Sequence, residues 1–144
     1  LAFLGELPGK RIEELTCWVD ECCERHGGGA MELRLDELGY WPSPGIAWLG
    51  CSEPVPALRQ LAEALRRIPP RLGVRAERRD FVPHVTLFRG VTEPPPAPVT
   101  APDFPFRQAI VTLFESEPVR GGVRYRPVAE WDLASAPGPP HISS

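Results

Sequence analysis

The sequence predicts a bilobal α+β fold with antiparallel sheets, on three observations. Two stretches, roughly Lys10–Arg25 and Ser52–Leu65, carry apolar residues at helical spacing. Several short apolar or alternating runs lie between glycine- and proline-rich turns and read as strands. The two halves also echo each other weakly, each with an apolar strand, a turn and a later strand ending in a bulky or aromatic residue. No short unit recurs, so a solenoid is excluded.

The elements follow in order. Leu1–Leu4 is a short apolar strand, and Pro8-Gly9 turns the chain. The first helix carries its stripe on Ile12, Leu15, Val19 and Cys22, and the triple glycine 27–29 ends it. Met31–Leu38 alternates as a half-buried strand, and the Trp41–Gly45 loop leads to a second strand, Ile46–Gly50, giving a hairpin. Ser52 suits the cap of the second helix, with Pro54 in its first turn; Leu58, Leu61, Ala62 and Leu65 form its apolar face, and Pro69-Pro70 ends it. Phe81–Arg89 is the next strand. Glu93–Pro105 reads as an extended, proline-stiffened loop, and Ala109–Phe114 and Val123–Leu133 as closing strands around Gly121-Gly122. A domain over 1–133 and a flexible tail over 134–144 are expected.

Bulk properties narrow the function classes. A chain of 144 residues suits one domain with a small core. No apolar run approaches the ~20 residues that span a bilayer, and a cytoplasmic monomer is expected. Four cysteines without a Cys-x-x-Cys pair read as reduced thiols. Cys17, Cys22, Cys23 and His26 could be imagined around zinc, but Cys22 fits the helix stripe better, and neither metal nor cofactor is expected. The net charge of −3 argues against a protein that coats nucleic acid. Arg66, Arg67, Arg71, Arg75, Arg78 and Arg79 nevertheless crowd the approach to His84, opposed by Glu77 and Asp80. That cluster reads either as a solvated helix end and loop or as an electropositive approach for an RNA end.

His84-Val85-Thr86-Leu87-Phe88-Arg89 is the most informative stretch. Residues i and i+2 share a strand face, so His84 and Thr86 point the same way while Val85 and Leu87 turn to the core. An imidazole that moves protons thus stands beside a hydroxyl that can hydrogen-bond a phosphate oxygen, which is half of a phosphodiester-cleaving site. Arg89 has the opposite parity on a flat strand, and twist or a bulge near Gly90 is needed to bring it round.

This stretch resembles the second signature of the two-histidine (2H) phosphoesterases, and within them the bacterial RNA 2',3'-cyclic phosphodiesterases, or 2'-5' RNA ligases. Leu1–Glu6 is similar to the tail of their first signature, Leu33–Tyr40 and Ile46–Gly50 to their central hairpin, and Val111–Ser116, Tyr125 and Trp131–Leu133 to their closing strands. The resemblance runs from Leu1 to about Leu133. It implies two His-x-Thr/Ser strands facing each other across a central cleft between antiparallel sheets, with helices outside. The opening strand and helix, with the first His-x-Thr, are then expected upstream of Leu1.

The resemblance further implies hydrolysis of RNA-type 2',3'-cyclic phosphates to 2'-phosphates, with 2'-5' ligation as the reverse. Two imidazoles exchange protons with water and the leaving oxygen, and hydroxyls bind the non-bridging oxygens. His84 and Thr86 are the expected catalytic residues, with Arg89, Phe3 and Tyr125 binding phosphate or base. Phe3 and Tyr125 equally suit core packing. The partners implied are RNA ends or nucleoside cyclic phosphates. A non-catalytic RNA-end or nucleotide-binding module of the same fold remains open, as does a different cyclic nucleotide or a 2'-5' oligonucleotide. His141-Ile142-Ser143 has the shape His-x-Ser, but reads as coincidence in a tail.

Overall fold

The computed structural model describes residues 1–134 and the backbone of 141–142. After a 3-10 turn at Gly9–Arg11 come α1 (Ile12–His26), β1 (Met31–Leu35), β2 (Glu37–Trp41), β3 (Ile46–Gly50), α2 (Pro56–Leu65) and α3 (Ile68–Arg71). There follow β4 (His84–Arg89), β5 (Phe104–Gln108), β6 (Ile110–Val119), β7 (Gly122–Asp132) and β8 (His141–Ile142). All strand pairings are antiparallel, in three sheets ordered β1-β5, β2-β3-β4 and β6-β7-β8. No described helix is long and apolar enough to cross a membrane.

The helices and the β6–β7 hairpin enclose the main core. Leu15, Val19 and Cys23 of α1 meet Leu61 and Leu65 of α2, Ile68 and Leu72 around α3, Met31 of β1, and Val111, Ala129 and Trp131 of the hairpin. The inward stripe of α1 therefore runs through Cys23, with Cys22 only half-buried at its margin. Burial pushes the Cys23 thiol up to about 12, which keeps it protonated and inert. Arg11 ties the start of α1 to the end of α3 by donating to the Leu72 carbonyl at 2.6 Å, and the Arg71 guanidinium lies 4.4 Å from the Trp18 ring. At the far end of α1, Gly28 and Gly29 take positive φ (52° and 109°), turning the chain into β1.

Several expected boundaries move, each for a local reason. Leu1–Leu4 is extended chain without strand partners. The alternating run expected as one strand over 31–38 breaks at Asp36, so that β1 and β2 enter different sheets. The Asp36 N–H donates to the Gly50 carbonyl at 2.9 Å, while its carboxylate accepts from the Ser52 N–H and hydroxyl at 2.8 and 2.7 Å. Ser52, spent on Asp36, does not cap α2, which starts four residues later at Pro56. Pro69 and Pro70 sit inside α3 rather than ending α2. The proline-rich loop is shorter than expected because Phe104 and Pro105 belong to β5. That strand has one neighbour, so a residue without an N–H is tolerated in it.

The long β6–β7 hairpin turns at Arg120-Gly121 and carries Glu115–Arg126 and Glu117–Arg124 ion pairs across its strands at 2.5 and 2.7 Å. Of the tail expected to be flexible, 135–140 and 143–144 lie outside the described residues. His141 and Ile142 pair by backbone with Glu130 and Ala129, and the His141 side chain lies outside the described part.

Two expected outcomes follow from this packing. Leu61 is 1% exposed, so Leu61→Ala should cost about 2–5 kcal/mol in denaturant unfolding, with the native sheet spectrum retained below the transition. The Ser52 hydroxyl, then its N–H, holds the Asp36 carboxyl below the usual range. A depressed folded-state value means that Asp36 stabilises the fold above its unfolded pKa of about 4 and loses that contribution as pH falls through the folded value. Asp36→Asn should therefore lower Tm at neutral pH, and the gap to the parent should narrow on acidification. A gap constant down to pH 2 would remove Asp36 from this role.

Candidate functional site

β4 joins the edge of the β2-β3-β4 sheet through β3, with Gly50 opposite His84, Leu49 opposite Val85, and Trp48 opposite Thr86. The register then slips by one residue. Ala47 faces Phe88 and Ile46 faces Arg89, leaving Leu87 as the extra residue of a bulge. Cross-strand partners share a face, and Ile46, Trp48 and Gly50 alternate along β3. His84, Thr86 and Arg89 therefore line one face together. The bulge supplies the parity change that Arg89 needed, two residues before the arginine.

Across β2 the same face continues through Glu37, Gly39 and Trp41, which pair with Gly50, Trp48 and Ile46. Two glycines here make room for an indole. A Cβ at Gly39 would overlap one edge of the six-membered ring of Trp48, and a Cβ at Gly50 would come within 2.6 Å of the opposite edge. Trp48 is thereby seated over the sheet, and Trp41 packs on it at a centroid distance of 5.0 Å. Trp41 in turn meets the His84 ring edge to face at 4.7 Å, with Trp48 at 6.4 Å.

The imidazole is also held from its own strand. His84 Nδ1 lies 2.7 Å from the Val82 carbonyl. A carbonyl only accepts, so this contact puts a proton on Nδ1 and leaves Nε2 of the neutral ring with a free lone pair. Pro83 restricts Val82 to extended backbone, which suits the arrangement. His84 is exposed and Thr86 half-buried, as reacting groups open to a ligand should be.

The end of the strand is pinned to the hairpin tip. Tyr40 donates to the Val91 carbonyl at 3.0 Å, and the Val91 N–H donates to the Gly45 carbonyl at 2.9 Å. Gly45 has φ 92°, and a Cβ there would meet the Val91 oxygen at 2.5 Å, so the approach requires glycine. Arg89 is exposed and makes no hydrogen bond or ion pair among the described residues.

The other face of β4 departs from expectation. Ala47 and Leu49 are buried beneath the sheet, but Val85 and Leu87 are 47% and 43% exposed and Phe88 is 68% exposed. Among the described residues β4 is an edge strand, so its apolar side chains are only partly covered. Of the outlying candidates, Phe3 lies exposed on the segment before α1, and Tyr125 lies exposed on β7, opposite Ser116 in a different sheet; neither makes a ring contact with His84 among the described residues. Sequence reasoning missed Trp41 and Trp48 as neighbours of His84. The signal available was the hairpin register, which puts Gly39 across from Trp48.

Known proteins share this fold. The family model of the 2'-5' RNA ligase superfamily matches residues 7–115. The RNA 2',3'-cyclic phosphodiesterase of Escherichia coli (strain K12) is 34% identical over 133 residues, covering 92% of this chain and 73% of that protein. The crystal structure of E. coli LigT complexed with 3'-AMP superposes with a TM-score of 0.79 at 32% identity, over 93% of this chain and 75% of that one. LigT has also been solved complexed with phosphate, with ATP and with NADP+. A protein of Thermus thermophilus, TT0787, at 24% identity and a TM-score of 0.69 over 92% of this chain and 75% of its own, shares the fold. The α+β architecture with antiparallel sheets is that of the LigT phosphoesterases, and the chain belongs to the 2'-5' RNA ligase superfamily.

Proposed function

We propose that the chain opens RNA-type 2',3'-cyclic phosphates to 2'-phosphates, and can run the reaction backwards as 2'-5' ligation. The observation that carries this reading is the shared face of His84, Thr86 and Arg89, with Nδ1 of His84 committed to the Val82 carbonyl and Nε2 left for chemistry. Water attacks phosphorus in line, the P–O3' bond breaks, and O3' leaves as a hydroxyl once protonated. One imidazole removes the proton from water and a second supplies one to O3'. His84 provides one of these groups. The other belongs in this reading to a first His-x-Thr strand, whose tail Leu1–Glu6 resembles.

The Thr86 hydroxyl donates to a non-bridging oxygen, where charge concentrates in the transition state. Arg89, on the same face and unpaired among the described residues, adds a guanidinium suited to phosphate. The route moves its protons through imidazoles and its charge onto hydroxyl and guanidinium donors, and it asks for no cofactor. Residues 1–133 act in this reading as one bilobal domain, with RNA ends or nucleoside cyclic phosphates as ligands. Four free thiols suit a cytoplasmic setting.

One observation favours a second reading, a nucleotide-binding module without turnover. Among the described residues, the face shared by β2, β3 and β4 carries a single imidazole. Turnover of a nucleoside 2',3'-cyclic phosphate by the protein with its native upstream sequence separates the two. His84→Ala should lower kcat by ~10²–10⁴-fold with the melting temperature nearly unchanged. Thr86→Val should lower it by ~10²–10³-fold with KM little affected. Near-normal turnover in His84→Ala would sink the assigned role, and tight binding of a 2'-phosphate with no turnover in the parent would select the binding module.

A further inference from the structure

The loop between α3 and β4 ends at the imidazole, since the Val82 carbonyl on that loop accepts from His84. Its later part, beyond the backbone hydrogen bonds of Leu72, Gly73 and Val74, is gripped by one side chain. Arg66, 17% exposed at the end of α2, donates to the Arg79 carbonyl, pairs with Glu77 at 3.7 Å and lies 5.6 Å from the centroid of Phe81. This grip occupies Glu77, one of the two acids in the loop. Arg75, Arg78 and Arg79 are all exposed, and no hydrogen bond or ion pair from their side chains is found among the described residues. Asp80 is the remaining opposing charge.

The density of unmatched cations is what singles out this loop. Arg11, Arg25, Arg34, Arg59, Arg124 and Arg126 are each matched by a carboxylate at 2.5–3.2 Å. Arg67, Arg71, Arg107 and Arg120 also lack a carboxylate partner among the described residues, but only this loop leaves three such side chains within five residues, on the segment leading into His84. Arg89, at the other end of the same strand, has no partner among the described residues either. The backbone spans at most ~18 Å from Arg79 to His84 and at most ~32 Å from Arg75, so a strand of several nucleotides with its end at the imidazole is long enough to reach all three.

We propose that Arg75, Arg78 and Arg79 form a subsite for the sugar–phosphate backbone preceding the terminal cyclic phosphate, so that the preferred substrate is an RNA strand rather than a mononucleotide. The inference rests on the phosphodiesterase reading above and adds a ligand class to it. Guanidiniums on phosphates bind without reading sequence, so the subsite favours length over base identity. Leaving the cations on a loop held by Arg66, rather than on a mobile tail, limits the entropy lost when the strand settles.

The test compares the protein with its native upstream sequence, as parent, with its triple variant R75Q/R78Q/R79Q on two substrates, a nucleoside 2',3'-cyclic phosphate and a hexanucleotide ending in one. The triple variant should lose on the order of 10- to 100-fold in kcat/KM for the hexanucleotide at ~0.1 M salt, chiefly through KM. Mononucleotide turnover should stay within about threefold. In parallel, binding of a labelled hexanucleotide 2'-phosphate is measured against salt, which needs no turnover. The slope of log K against log salt should fall by ~2, three single-strand phosphate contacts at ~0.7 each. An unchanged slope, or equal losses on both substrates, would overturn the subsite. Parent protein that binds the hexanucleotide with the steeper slope yet turns over neither substrate would sink the phosphodiesterase reading while leaving the subsite standing. Because the three side chains are exposed, an unchanged melting temperature should accompany every result.

Discussion

The pairing of Ile46–Gly50 with His84–Arg89 is the constraint on which the site depends. It sets which residues lie opposite His84 and Thr86, and its one-residue slip at Leu87 turns Arg89 onto their face. It also places His84 beside indoles that belong to other parts of the hairpin. Without the slip, the strand would present its arginine to the opposite side, away from the imidazole and the hydroxyl. A bulge interrupts one step of the backbone ladder and re-aims a side chain, and such irregularities often sit beside active sites.

Around that pairing the structure holds its parts from several directions. Asp36 fixes the Gly50 end of β3 through the Gly50 carbonyl and Ser52, opposite His84. Tyr40, Gly45 and Val91 fix the other end, near Arg89. Arg66 steadies the incoming loop, and Val82 orients the ring. Hydrogen bonds worth about 1 kcal/mol each are modest alone, but together they leave the reacting side chains little freedom. A helical core elsewhere carries most of the apolar burial, which lets this sheet keep one face open.

Much of this was legible in the residues. Period-two alternation identifies His84 and Thr86 as neighbours, and the helices show through Leu15, Val19, Leu61 and Leu65. What stayed hidden depends on partners remote in sequence. The parity of Arg89 calls for twist or a bulge, but the position of the bulge at Leu87 depends on a mismatch between β3 and β4 that neither strand shows alone. Trp41 and Trp48 reach His84 only through the hairpin register, and β5 was masked by Pro105. Ser52 reads as a cap because its partner, Asp36, lies sixteen residues away. The exposure of Val85, Leu87 and Phe88 escaped notice for a similar reason: an apolar strand face does not reveal what covers it.

Gly39 and Gly50 carry this logic into mutational tolerance. Neither has a functional group, and neither would attract notice in a search for reactive residues. Yet a single added methyl at either position would push against the Trp48 ring, and through it Trp41 and the imidazole. At these two positions the site is shaped by the space that a missing side chain leaves for an indole.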